Sequence, residues 1–153
     1  MTVTAKFPLA LSALITDLGA SSALTGVRIF DGAEVDLSYP KDWIAVGHDG
    51  SLDTSEMQIG SVSNTPLAFG DYHQEDGVIN CTLVAQSGTS SFSALRTRAF
   101  ALLSAVDTAI RADTTFGGNG FYQLLGTYSV NQLQTDLGAA VQIDFAVAYQ
   151  AQS

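Results

Sequence analysis

The clearest pattern in the chain lies at its C-terminal end, where Val141, Ile143, Phe145, Val147 and Tyr149 alternate with Gln142, Asp144, Ala146, Ala148 and Gln150. A period of two predicts a β-strand with one buried face. Only Ala151, Gln152 and Ser153 follow, so this strand is expected to lock into a sheet and to finish a single domain spanning 1–153. The same alternation recurs over Val78 to Gln86, with Ile79, Cys81, Leu83 and Ala85 inward and Asn80, Thr82, Val84 and Gln86 opposed. Earlier, Val27, Ile29 and Val35 flank an Asp31-Gly32 turn signal, and Trp43-Ile44-Ala45-Val46 makes a short apolar run stopped by Gly47-His48-Asp49-Gly50. A further strand is predicted around Ser55 to Val62 with Met57 and Ile59 inward, then a loop through Asn64-Thr65-Pro66 and Phe69-Gly70.

Two segments switch to helical periodicity. The first runs from about Thr4 to Leu18, with Leu11, Leu14, Ile15 and Leu18 on one side, Pro8 in the first turn and Gly19 placed to end it. The second follows Ser87-Gly88-Thr89-Ser90-Ser91, which supplies a break and candidate N-caps. Its stripe is Phe92, Leu95, Ala99, Leu102, Leu103, Val106 and Ile110. Phe116-Gly117-Gly118-Asn119-Gly120 then reads as a loop. A strand is predicted from about Phe121 to Leu133, with Tyr122, Leu124, Tyr128 and Val130 of one parity and Gly126 as a candidate bulge. A turn through Thr135-Asp136-Leu137-Gly138 joins it to the terminal strand as an antiparallel hairpin. The order predicts an α+β fold, a mostly antiparallel sheet with two main helices packed on one face.

Composition narrows the function. The chain has 153 residues, 15 acids against 6 bases and a formal charge of −9. Binding nucleic acid by charge neutralisation needs clustered Lys or Arg, which this balance argues against. Charged residues are only 14% of the chain, about half the usual share, and neutral surface favours subunit contacts. Most acids lie between Asp31 and Asp76. No apolar run approaches the roughly 18 residues of a membrane span. The Lys6 to Ala23 region superficially resembles a secretion signal, but Asp17 and the helical spacing favour an amphipathic helix.

Candidate chemistry is sparse. A lone cysteine, Cys81, excludes an internal disulfide and a Cys-based metal cage and reads as a small core residue. The two histidines, His48 and His73, sit among glycines and acids with no Gly-x-Ser-x-Gly elbow, and read as solvated or interface residues. Asp49-x-Ser51-x-Asp53 opens like a calcium loop, but Thr54 stands where Gly belongs and Gly60 where Glu belongs. Gly117-Gly118-Asn119-Gly120 lacks the Lys and Ser/Thr of a phosphate loop. No catalytic residue, cofactor or metal is therefore expected. Arg96, Arg98 and Arg111 form the one basic cluster, as solvated charge or as partners for the acidic half of a neighbour. Asp144, on the polar face of the last strand, reads as exposed or as facing a channel or neighbour.

Three segments carry a family resemblance: Val27-Arg28-Ile29-Phe30-Asp31-Gly32, Trp43-Ile44-Ala45-Val46-Gly47, and Gly138-Ala139-Ala140-Val141-Gln142-Ile143-Asp144-Phe145-Ala146-Val147. In these, and in the order of its elements, the chain resembles the tail-terminator proteins of long-tailed bacteriophages, in particular those of actinobacterial phages and the wider lambda-like group. The resemblance implies a homohexameric ring in the virion, assembled in the host cytoplasm, that caps the tail tube, stops its polymerisation and joins the head connector. Its partners would be itself, the tail-tube protein and the connector or stopper protein, with DNA passing through unbound. Net negative charge suits such a conduit, and Asp49, Asp53, Glu56, Asp71, Glu75 and Asp76 are the candidate lumen or tube-facing acids. Arg96, Arg98 and Arg111 are the candidate intersubunit bases. A connector stopper or tail-tube subunit is the nearest alternative, and a small enzyme or ligand-binding domain the more distant one.

Overall fold

The computed structural model describes residues 6–32, 39–51, 57–66, 73–88, 91–135 and 138–152. Its centre is a pair of long antiparallel strands, β4 (His73–Ser87) and β7 (Gly138–Gln152), in register from Gln74 opposite Gln152 to Ser87 opposite Ala139. β1 (Arg28–Asp31) lies parallel to β2 (Trp43–Val46), and β2 pairs antiparallel with the middle of β4, Trp43 opposite Val84. Further along the same edge of β4, β3 (Gly60–Pro66) pairs with His73 to Ile79. The far edge of β7 is shared by β5 (Phe121–Leu124) and β6 (Ser129–Thr135), both antiparallel to it. The seven strands form one mixed, mostly antiparallel sheet in an α+β fold.

Both helices pack on one face. α1 (Phe7–Ala20) contributes Ala10, Leu14 and Leu18, and α2 (Phe92–Ala112) contributes Leu95, Ala99, Leu103, Val106 and Ile110. They cover Ile79, Cys81, Leu83 and Ala85 of β4 and the odd-numbered residues Val141 to Ala151 of β7. The predicted inward parity of both central strands is thus the observed one. Ser91 caps α2 by accepting a hydrogen bond from the Ala94 amide at 3.2 Å. A smaller cluster on the opposite face, Phe30, Trp43, Ala45, Val84 and Ala140, buries the side of β4 expected to be polar. Thr82 and Gln86 are buried beside it, so β4 is enclosed on both faces over this stretch.

Three boundaries differ from the sequence reading. α1 continues through Gly19 to Ala20 and closes at Ser21, whose N–H donates to Leu18 O. β3 begins at Gly60 and runs through Asn64-Thr65-Pro66, the segment expected to be a loop; its side chains are exposed or half-buried because it flanks only the end of β4. Ile59, expected inward, is exposed. The strand expected over Phe121 to Leu133 is two strands, separated where Leu125 N–H donates to Ala146 O. Tyr122 is buried, whereas Tyr128 and Val130, of the same parity, are exposed at the margin of the helix layer.

Candidate functional site

The loop leaving β2 carries a dense polar cluster. Gly47 and His48 N–H groups both donate to Asn80 O, at 2.7 and 2.9 Å, turning the chain back across β4. His48 is 2% exposed and its ring meets Trp43 at 6.2 Å between centroids. It is a buried side chain, not the solvated or interface residue expected from the sequence. Its Nδ1 accepts from Gly50 N–H at 2.9 Å, which requires the neutral tautomer with the proton on Nε2. Nε2 has no partner among the described residues. Burial lowers the His48 pKa, and the nearby Asp49 and Asp144 carboxylates oppose that shift.

Asp144 anchors the loop from below. Its Oδ1 accepts from Thr82 Oγ1 and Gln142 Nε2, each at 2.9 Å, and Gln142 Nε2 also donates to Gly50 O at 3.0 Å. Gly50 has φ of +86°, and a Cβ there would stand 2.3 Å from Asp144 Oδ1, so only glycine lets the loop lie on the carboxylate. Beside this cluster is a cavity of about 260 Å³ bordered by His48, Asp49, Asn80, Asp144 and Thr127 to Ser129. A larger groove of about 690 Å³ crosses the uncovered sheet face from β3 to β5, over Ser61, Val78, Ala148 and Phe121. Burial pushes the Cys81 thiol up to about 12, which leaves it protonated and unreactive at neutral pH. Among the described residues, no three metal-ligating side chains converge and no helix is long and apolar enough to cross a membrane.

The six candidate acids separate. Asp53, Glu56 and Asp71 lie outside the described residues. Asp49 is exposed; its carboxylate accepts from Ser51 and Gln58 amides at 2.9 and 3.2 Å, which orders the loop. Asp76 is exposed at the groove and accepts from the Gln150 side-chain amide at 3.1 Å. Glu75 is fully buried and cannot face a channel. Its carboxylate accepts from Lys6 N–H at 3.0 and 3.1 Å and from the Tyr149 hydroxyl at 2.5 Å. α1 has no side-chain cap of its own and no acid in its first turn, so Glu75 supplies the negative charge at that helix N-terminus from β4.

The arginines separate too. Arg98 is held within the chain by Asp42 at 2.9 Å and by Gln86 O at 2.7 Å, so its charge is already paired inside one copy. Arg111 pairs with Asp107 one turn earlier on α2 at 2.8 Å, an exposed pair with little energetic weight. Arg96 remains at the surface, bonded to Gln132 of β6. Alternation gives one signal for Glu75, which shares the parity of Ile79 and Cys81. The His48 environment depends on contacts between β2, β4 and β7 and has no local signal. No protein-family model matches the chain, and no curated protein matches it significantly.

Proposed function

We propose that the chain is the repeating subunit of a homohexameric ring at the head-proximal end of a long-tailed phage tail. There it caps the tail tube, stops tube polymerisation and joins the head connector. The observation that carries this reading is a sheet with unlike open margins, β1 on one side and β6 on the other, each paired on one flank only among the described residues. A closed ring is built from such heterologous contacts, one surface meeting a different surface of the next copy. The family resemblance adds support, because its three segments fall on β1, β2 and β7 and share the rows that run through Thr82 of β4. A formal charge of −9 per copy suits a conduit that lets DNA slide without capture.

Native mass measurement and electron microscopy of the purified protein test the ring. The expected outcome is one closed species of six copies that stops elongation of tail-tube protein mixed with it. Open-ended tubes formed by the chain alone would assign it to tube subunits instead. A ring without effect on tube growth would remove the terminator role.

A further inference from the structure

β6 pairs with β7 on one side, and its other side meets no strand among the described residues. Natural sheets guard such edges with charge, proline, bulges or a covering element. Ser129 to Thr135 contains no charge, no proline and no glycine, and Ser129 to Asn131 are exposed. Along its helix side runs a strip of exposed apolar side chains: Phe100 and Tyr128 meet edge to face at 5.9 Å, and Val130 is 40% exposed. Arg96 closes the strip through Gln132. Copies bearing −9 repel one another least where one of the two meeting surfaces carries no acid, as is true of β6.

The sheet also fixes what fits this edge. Ile29 stands opposite Ile44, Ile44 opposite Leu83, Leu83 opposite Ile143 and Ile143 opposite Val130, so Ile29 and Val130 end one row across five strands. β1 runs opposite to β6, and Ile29 packs on the helix side, the side of Val130. A second copy moved sideways and turned about an axis along the strands, without any rise, therefore brings its β1 antiparallel to β6, and that turn lets the array close into a ring. In that register Val130 meets Ile29 and Asn131 meets Arg28, with no like charges opposed. We infer that β6 is the acceptor edge for β1 of the next copy, and that the Phe100, Tyr128 and Val130 strip seals this junction. The inference rests on the self-assembly proposed above but not on the tail assignment.

The test uses the full chain. Val130→Lys adds the usual guard of an edge strand at an exposed position. It is expected to raise the concentration needed for assembly at least about tenfold, while its circular dichroism matches the wild type and its urea midpoint matches that of wild type measured below the assembly concentration. Separately, the double variant Ile29→Cys with Val130→Cys is expected to give a ladder of covalent oligomers on oxidation. Each single variant should give none, since Cys81 is buried. Assembly of Val130→Lys at the wild-type concentration, or rings of the double variant that do not cross-link, would overturn the junction while leaving the ring intact. A wild-type chain that stays monomeric would overturn both. Loss of assembly in Val130→Lys, with wild-type rings that do not stop tube growth, would keep the junction and remove the tail role.

Discussion

At Gly77 the side chain is absent because the Tyr149 ring fills the space directly across from it. A Cβ there would come 2.0 Å from ring atom Cε1. The ring lies between Phe7 and Phe116, at 6.2 and 6.1 Å, and its hydroxyl reaches the buried Glu75. One glycine thus sets the geometry that ties β4, β7 and the start of α1 together. Gly77→Ala is expected to cost about 2 to 3 kcal/mol, because the ring must move and the Glu75 carboxylate loses a donor. Urea unfolding measures this, with Gly126→Ala as the control: nothing lies within 4 Å of its added Cβ, and a change within about 0.5 kcal/mol is expected. Equal midpoints for the two variants would refute the packing role. Part of this was legible, since Glu75 and Gly77 continue the inward parity of Ile79 and Cys81. Extended back to His73, that parity marks Glu75 as inward rather than channel-facing. What no pattern along the chain reveals is its partner, the amide of Lys6, 69 residues away.

Among the elements, those with two layers of contact follow their sequence periodicity and those at the margins do not. The inward faces of β4 and β7 match their alternation and that of α2 its helical stripe, because burial rewards each inward residue, and the apolar run of β2 is buried on both faces. β3 and β6 lie where the helix layer ends, so hydrogen bonding to β4 or β7, rather than side-chain burial, sets their limits. The first helix illustrates a different limit of local reading. Gly19 reads as a terminator, yet Leu18 is fully buried and the helix continues one residue beyond Gly19. Glycine in a helix costs about 0.5 to 1 kcal/mol relative to alanine. Nothing lies within 4 Å of a Cβ added at Gly19. Gly19→Ala is therefore expected to stabilise the protein by about 0.5 kcal/mol, less than the full scale because the site is in the last turn. A lowered midpoint of thermal unfolding would mean that Gly19 has a terminating role after all.

At the scale of the whole molecule, two titratable groups make opposing contributions to stability in acid. The Asp17 carboxyl is held above its usual value, first by burial, with the neighbouring Asp113 adding to it and the hydrogen bond from the Tyr122 hydroxyl opposing it. A raised carboxyl pKa favours the fold below the unfolded value of 3.8 and loses that contribution as pH rises through the folded value. His48 acts in the other direction. Its folded pKa lies below 6.5, so the unfolded chain takes up the proton first, and stability falls as pH drops from about 6.5 towards the folded value. Protonation of Nδ1 would also set an N–H against the Gly50 N–H that it now accepts. The wild-type curve alone sums the Asp17 and His48 contributions. His48→Gln keeps an acceptor for Gly50 and cannot be protonated. Its urea midpoint is expected to fall less than that of the wild type between pH 7.5 and pH 5, whatever its absolute stability. Parallel curves for the two proteins would show that the buried imidazole does not couple folding to pH.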